Sequence, residues 1–288
     1  MRTSYQVVER NTLDLLGEGP LWSSRRNTLF WVDILAPALQ SYDMNTGTVS
    51  RWEMPEPIGW IVERKNGLGF VIGLKSGFAK LSLDPFDIER IGNPEPDRAQ
   101  NRLNDAAIDR VGRIWAGSKN DGDDAAPTGA LYRLDCDFSW SRHDDGYQVT
   151  NGPTFSSDGM TLFHTDTMNR TVFAFDLADD GSLRNKRLFL QFETSWGYPD
   201  GMCTDAEGGV WIAHWGGGRI SRFTPEGKLD RDIALPASQI TSCSFAGEKL
   251  ERMFVTSARI GITDEPLAGA LFEVEPQVRG MECKLFAG

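Results

Sequence analysis

Short runs of apolar and aromatic residues alternate with turns rich in glycine and aspartate along the whole chain. A typical pair of runs is Thr28–Asp33 followed by Ala38–Asp43. Runs of five to seven residues between turn signals are typical of β-strands, and no long 3.6-residue periodicity competes with them. Segments such as 109–112, 156–159 and 204–208 have hairpin-turn chemistry. The pattern predicts an all-β protein.

The paired runs form six related units. They recur at 67–72 with 77–81, 112–116 with 129–133, 160–165 with 171–175, 208–213 with 218–223, and 252–256 with 269–273. Each unit opens on a short segment: 17–20, 58–60, 102–105, 151–153, 199–201 or 240–242. From Glu18 to Thr241 there are 223 residues over five intervals, or about 45 per unit. That period predicts a six-bladed β-propeller with four antiparallel strands in each blade.

The run Tyr5-Gln-Val-Val-Glu9 precedes the first unit and has no partner in it. In a ring this strand can complete the last blade, which removes exposed sheet edges. No linker-like segment divides the chain, so we expect one propeller domain over residues 1–288. A stacked β-sandwich or two β domains are the alternatives.

Composition narrows the function classes. The chain has 288 residues, 40% of them hydrophobic, and a net charge of −11. It can form a core, and its acidity argues against nucleic acid or an anionic membrane as a partner. We expect a cytoplasmic location, because the N-terminus has no signal-like apolar segment. The four cysteines lack the spacing of zinc sites and are expected to be structural thiols.

The innermost strand of each blade faces the central channel, so the opening segments of the units converge there. They bring together Glu18, Asn104, Asn151 and Asp200. Carboxylate and amide oxygens suit Ca²⁺, Mg²⁺, Mn²⁺ or Fe²⁺ better than a structural zinc. The alternative is that Glu-Gly-Pro, Asn-Gly-Pro and Pro-Asp-Gly are ordinary turn tripeptides without a ligand.

These tripeptides occur with other ordered motifs, namely Trp31-Val-Asp33, Arg102-Leu-Asn-Asp105, Gly112-Arg-Ile-Trp-Ala-Gly117, His164-Thr-Asp166 and Gly269-Ala-Leu-Phe272. Together, from about residue 15 to 286, they resemble the SMP-30/gluconolactonase/regucalcin family. Within it the chain is most like bacterial sugar-acid lactonases of the xylonolactonase and arabinolactonase type. The resemblance implies a six-bladed propeller, one divalent metal held by Glu18, Asn151 and Asp200, and a sugar lactone held by Arg102 and Asn104.

Such a protein would hydrolyse an aldono- or aldarolactone, a 1,4- or 1,5-lactone, to the open acid. A metal with open positions can polarise the carbonyl and activate water, and Asp200 is expected also to accept the proton. The metal stays open among Ca, Zn, Mn, Mg and Fe(II). Two alternatives remain: a calcium-binding or protein-interaction propeller without turnover, and a metal-dependent esterase or phosphotriesterase. The expected partner is a small-molecule lactone, and the expected state is a monomer or weak homo-oligomer.

Lys119 departs from the resemblance, because relatives often have Ala-Gly-Thr-Met where this chain has Ala116-Gly-Ser-Lys119. If Lys119 points into the channel beside Arg102, it would suit a substrate with its own carboxylate. If it extends to solvent, it has no such role. Asp121 is the expected acidic substrate contact, with Asp123 as the alternative.

The three histidines do not indicate catalysis. His143 is expected in a solvated turn, and His164 and His214 are expected to be core histidines on strands with their hydrogen bonds satisfied. No Gly-x-Ser-x-Gly motif is present, so a serine hydrolase is not indicated.

Overall fold

A computed structural model describes residues 5–67 and 69–288. It contains six four-stranded antiparallel sheets, which are the blades of a ring around a central channel. The six-bladed β-propeller predicted from the repeat is confirmed. The strands follow in chain order after β1 (Tyr5–Val7). Blade 1 holds β2 (Gly17–Ser23), β3 (Thr28–Asp33), β4 (Ala38–Asp43) and β5 (Val49–Glu53). Blade 2 holds β6 (Ile58–Glu63), β7 (Phe70–Leu74), β8 (Gly77–Leu83) and β9 (Phe86–Gly92).

The next two blades repeat this order. Blade 3 holds β10 (Asn101–Ile108), β11 (Ile114–Asn120), β12 (Gly129–Leu134) and β13 (Trp140–Tyr147). Blade 4 holds β14 (Thr150–Phe155), β15 (Thr161–Asp166), β16 (Thr171–Leu177) and β17 (Leu183–Gln191). A 3₁₀ turn at Thr194–Trp196 leads to blade 5, with β18 (Tyr198–Thr204), β19 (Val210–Trp215), β20 (Arg219–Phe223) and β21 (Leu229–Ala234).

Blade 6 closes the ring with strands from both ends of the chain. It consists of β22 (Ile240–Ala246), β23 (Arg252–Ser257), β24 (Phe272–Val274) and, as its outermost strand, β1. Tyr5 pairs with Val274 and Val7 with Phe272. The prediction that the N-terminal strand completes the last blade is confirmed. Because β1 covers β24, the blade that joins the two chain ends presents a short outer edge.

The core lies between neighbouring blades, and buried aspartates anchor it. Apolar side chains of adjacent sheets form mixed clusters, for example Phe30 and Val32 of blade 1 with Ile61 and Ile72 of blade 2. In blade 5 the Trp211 indole Nε1 donates to Asp205 at 2.9 Å. Blade 3 repeats this contact from Trp115 to Asp109, and blade 1 from Trp31 to Asp14. These aspartates satisfy indole N–H groups that would otherwise be buried without a partner.

Every innermost strand carries one extra residue at the same level. The register of β2 against β3 shifts between Glu18 and Leu21, and that of β14 against β15 between Asn151 and Thr154. Equivalent shifts occur in β6, β10, β18 and β22. A β-bulge redirects the side chains around it and increases the local twist. The repeated bulge therefore marks the level at which the channel residues turn inward.

The turn expected around His143 is wrong, because this residue lies in β13. Its ring packs on Trp115 with centroids 4.8 Å apart, and burial lowers the pKa of His143 to about 4. His164 and His214 are buried in β15 and β19 as expected. The expected hydrogen bonds are present only in part: His214 Nδ1 bonds the Trp196 carbonyl at 2.9 Å, whereas neither ring nitrogen of His164 has a partner among the described residues. Across residues 5–67 and 69–288, no helix has the length and apolarity needed to cross a membrane.

Candidate functional site

Glycines at the bulges explain why the opening tripeptides recur. Gly19 and Gly152 adopt φ values of 54° and 67°, which favour glycine over residues with a Cβ. Gly201 is constrained differently, because a Cβ there would lie 2.3 Å from the Ser242 hydroxyl oxygen of the next blade. The tripeptides are therefore bulges inside β2, β14 and β18 rather than loop turns. They place Glu18, Asn151 and Asp200 in the innermost strands of blades 1, 4 and 5, around the same channel.

Three buried carboxyl groups influence one another at this level. Glu18, Asp105 and Asp200 are exposed by 7%, 8% and 4%. Burial raises the pKa of Glu18 to about 7. Burial, followed by repulsion from Glu18, raises the pKa of Asp105 and of Asp200 well above their usual range. Burial is the main cause of each shift, so the protein alone disfavours the charged form of all three groups.

The Asp200 carboxylate has an unsatisfied oxygen. Its Oδ1 atom is buried and has no hydrogen-bond partner in the part of the chain that the structure describes. Buried polar atoms without partners are rare, and an ion is one explanation for them. Within the same residues, no three His, Cys, Asp or Glu side chains form a metal-ligand cluster alone. The predicted ligand set is not such a cluster, because its third member is the amide oxygen of Asn151. Its carboxylate and amide oxygens are hard donors that suit a divalent cation.

A chain of hydrogen bonds holds Asn151 in position. Its Nδ2 donates to the Thr167 hydroxyl at 2.8 Å, and that hydroxyl donates to the Pro199 carbonyl in blade 5. Its Oδ1 accepts from Asn104 Nδ2 at 2.7 Å. The amide orientation is therefore set from both sides, and the remaining lone pair of Oδ1 is available to a cation.

Asn104 connects this group to Arg102. The Arg102 Nη1 atom donates to Asn104 Oδ1 at 2.6 Å, and Asn104 Nδ2 donates to the Thr150 carbonyl. Arg102 Nε donates to Asp121 at 2.8 Å. The structure thus brings Arg102, Asn104 and Asn151 together across blades 3 and 4. Asn104 uses both amide hydrogens within the protein, so it holds Arg102 and Asn151 in position.

In the acidic loop after β11, one aspartate contacts Arg102 and another is exposed to solvent. Asp121 accepts from Arg102 and from Lys75 Nζ, each at 2.8 Å. Although burial acts to raise it, the Lys75 hydrogen bond and the Arg102 charge keep the pKa of Asp121 below its usual value. Asp123 is exposed and accepts from the Ala125 backbone. Of the two alternatives, Asp121 therefore lies beside Arg102.

Lys119 lies opposite Arg102 across the β10–β11 pair. Its side chain is 11% exposed and bonds Asp124. Burial, followed by repulsion from Arg102, lowers the pKa of Lys119. The Lys119 charge also acts on Asp200. Directly paired residues of two antiparallel strands share one face of the sheet, so Lys119 lies on the same face as Arg102. Its role toward a substrate stays a prediction.

A cavity of about 320 Å³ lies farther along the channel. Its wall includes Asp105, Met202 and Cys203, but not Glu18, Asn151 or Asp200. It is formed by the later parts of the innermost strands and by residues 281–284. The predicted ligands therefore lie at one end of the channel and this cavity beyond them, with Asp105 between the two.

Sequence reasoning missed three residues of this site. Asp105 stands in the Arg102-Leu-Asn-Asp105 motif, but strand alternation assigns Asn104 and Asp105 to opposite faces. The bulge between Leu103 and Asp105 breaks that alternation. Thr167 and Lys75 come from loops after β15 and β7, where no local pattern signals a contact with the channel.

The chain matches known proteins over nearly its full length. Residues 16–259 match the family model described as SMP-30/Gluconolactonase/LRE-like region. The chain belongs to this family. A family member from Pseudomonas putida, 6-deoxy-6-sulfogluconolactonase, is 35% identical over 280 residues, covering 95% of this chain and 96% of its own. Regucalcin of Gallus gallus is 35% identical over 287 residues, covering 95% of each chain.

A solved family structure agrees with the fold. It is regucalcin from Agrobacterium tumefaciens, described as a calcium-binding protein, with 25% identity and a TM-score of 0.93. The match covers all of this chain and 98% of that one. The SMP-30/gluconolactonase/regucalcin resemblance read from the motifs is confirmed.

Proposed function

We propose that this protein is a metal-dependent lactonase that hydrolyses a sugar 1,4- or 1,5-lactone to the open acid. The observation that carries the proposal is the unsatisfied, buried Asp200 Oδ1, in the same channel as the Arg102 guanidinium. An ion buffer has no need for an arginine held by hydrogen bonds beside the carboxylates. The name of the relative 6-deoxy-6-sulfogluconolactonase supports a sugar lactone as the substrate class.

Glu18, Asn151 and Asp200 are the residues that would hold one divalent cation. Two carboxylates and one neutral amide leave the cation with unneutralised positive charge. When bound, such a cation polarises the lactone carbonyl and makes a water molecule more acidic. The metal remains open among Ca, Zn, Mn, Mg and Fe(II), because oxygen ligands admit several ions.

The remaining polar residues orient the substrate and move a proton. Arg102 presents a planar fork of donors to hydroxyl or carbonyl oxygens, and Asn104 keeps that fork in place. Hydrolysis joins the water oxygen to the acyl carbon and breaks the acyl bond to the ring oxygen, which gains a proton. The Asp200 carboxylate is the group we assign to take the proton from water.

A calcium-binding propeller without turnover is the second candidate. It is favoured by the description of the Agrobacterium regucalcin as a calcium-binding protein. It requires the same carboxylates but gives no role to Arg102. A metal-dependent esterase or phosphotriesterase would use the same residues on another ester, and the substrate panel below separates it from a lactonase.

Chelation tests the proposal. We expect EDTA to lower lactone hydrolysis by at least about 10²-fold, because Lewis-acid assistance contributes several kcal/mol. Adding back one of the five candidate ions should restore it. Acid release is followed with a pH indicator on a panel of aldono- and aldarolactones, an aryl ester and a phosphotriester.

Melting curves of the chelated protein serve as the control for folding. Hydrolysis that continues unchanged after complete metal removal would contradict metal dependence. Metal binding without acid release from any compound would support the calcium-binding candidate instead.

A further inference from the structure

A buried cation and a half-buried cation face each other across a strand pair at the channel. Arg102 and Lys119 are directly opposite in the antiparallel register of β10 and β11. Their side chains are exposed by 3% and 11%. Like charges in this arrangement destabilise a sheet. When two like charges occupy directly opposite strand positions despite this cost, the position is often a functional site.

Carboxylates of the protein neutralise this positive charge incompletely. Asp121 accepts hydrogen bonds from both Arg102 and Lys75, and Asp124 bonds Lys119. Within this hydrogen-bonded group, three positive charges face two negative ones. The Asp124 side chain is 56% exposed. Exposed ion pairs contribute little free energy, so an incoming anion can replace Asp124 at modest cost.

One hydrogen-bond donor of Arg102 is available to a ligand. In the part of the chain that the structure describes, no hydrogen bond involves the Arg102 Nη2 atom, although Nε and Nη1 are both engaged. Lys119 and Arg102 are direct cross-strand partners, so their side chains lie on the same face of the sheet. Arg102 and Lys119 therefore form a cationic patch on blade 3, while the proposed carboxylate ligands Glu18 and Asp200 come from blades 1 and 5.

We infer that Lys119 and the free end of Arg102 form an anion subsite for a substrate with a second charged group. The ligand class is a sugar lactone whose far end bears a carboxylate, sulfonate or phosphate. The fork of Arg102 matches the oxygen atoms of these groups, and Lys119 adds a point charge. This inference rests on the proposed lactonase function for the orientation of the substrate, with its lactone carbonyl toward Glu18 and Asp200.

Paired substrates and one substitution test the subsite. We expect the wild type to have a higher kcat/KM for glucaro-1,4-lactone than for neutral galactono-1,4-lactone. Lys119→Met should lower the ratio of these two values by about 10- to 100-fold, the usual effect of losing a charged hydrogen bond. Most of the change should be in KM for the anionic compound. Lys119→Arg should retain the preference, and Lys228→Met, an exposed lysine between β20 and β21, is the matched control.

The dependence of the substrate preference on salt, and on the type of anionic group, tests whether the preference is electrostatic. Raising the ionic strength should reduce the preference, because it screens charge pairs near the surface. Lactones ending in a sulfonate or phosphate distinguish which anion the subsite favours. A wild type that hydrolyses the neutral lactone equally well, together with an unchanged ratio in Lys119→Met, would overturn the subsite and leave the lactonase proposal standing.

A binding measurement keeps the two proposals separable. Calorimetry with the open-chain products, a dianionic aldarate and a monoanionic aldonate, needs no turnover. If no lactone is hydrolysed, the lactonase proposal fails, but tighter aldarate binding that is lost in Lys119→Met still supports the subsite. Equal binding of both acids by wild type and Lys119→Met refutes it.

Discussion

Replacing Asp200 by asparagine is expected to remove most lactone hydrolysis while the propeller remains folded. The amide keeps the size of the side chain but removes one of two negative charges proposed to hold the metal. It also removes the group assigned to accept the proton. We expect kcat/KM to fall by about 10³-fold or more, equivalent to at least about 4 kcal/mol of transition-state stabilisation. Metal content, measured by mass spectrometry of the purified protein, should fall with activity.

Asp200→Asn should be more stable than wild type when metal is removed and less stable than wild type when metal is present. In EDTA the wild type keeps Asp200 buried near Glu18 and Asp105, whose charges add to the effect of burial and raise the pKa of Asp200. Asp200→Asn removes part of that repulsion, so the chelated variant should melt at a higher temperature than chelated wild type. With metal present, the wild type should be the more stable protein.

Asp232→Asn is the matched control, since Asp232 lies exposed on the outer strand of the same blade. It should keep wild-type activity and metal content. Full activity in Asp200→Asn would exclude Asp200 from both of its proposed roles. A variant that loses activity but retains its metal would leave Asp200 as the proton acceptor alone.

The fold could be predicted because each blade is specified by local signals. The runs at 28–33 and 38–43 coincide with β3 and β4, and the other predicted runs overlap their strands with end shifts of a few residues. Turn residues and short apolar runs act within one hairpin, so they are visible along the chain. The repeat then fixes the number of blades without any information about contacts between them.

The site was predictable in composition but not in arrangement. Glu18, Asn151 and Asp200 could be proposed as ligands because each lies near the start of the innermost strand of its blade, and their metal-binding role stays a prediction. Asp105 could not, because the bulge between Leu103 and Asp105 breaks the alternation of side chains that the sequence pattern assumes. Contacts such as Lys75 with Asp121 join two blades through loops of no particular sequence. Such contacts between blades depend on the folded ring, and the periodicity of the sequence does not predict them.

The contacts of the buried aspartates that stabilise the fold could also be predicted only in part from the sequence. The segment 204–208 has the chemistry of a turn, and the Asp205 carboxylate does accept from the Glu207 and Gly209 backbone. Its other contacts are with Trp211 in β19 and Arg222 in β20. A turn motif predicts the first pair of contacts. Only the folded sheet brings the indole and the guanidinium to the same carboxylate.

Asp205→Ala is therefore expected to cause the largest loss of stability among single substitutions away from the channel. The fully buried carboxylate accepts from Trp211 Nε1 at 2.9 Å and from Arg222 Nε at 2.6 Å. Alanine leaves that indole and two backbone N–H groups unsatisfied and removes a buried counter-charge of Arg222. Breaking a buried ion pair from one side costs about 3–5 kcal/mol, which for a protein of this size lowers Tm by about 6–20 °C.

Thermal unfolding followed by circular dichroism measures this change, and two further variants separate its causes. Asp205→Asn should lose less, because the amide oxygen still accepts from a donor although the charge is gone. Asp97→Ala, at an exposed aspartate before β10, should shift Tm by less than about 2 °C. Below its melting temperature Asp205→Ala should keep the wild-type kcat, because Asp205 does not contact the predicted channel ligands. A Tm within 2 °C of wild type, roughly the control range, would show that Arg222 and Trp211 find other partners and that the buried aspartates do not anchor the blades.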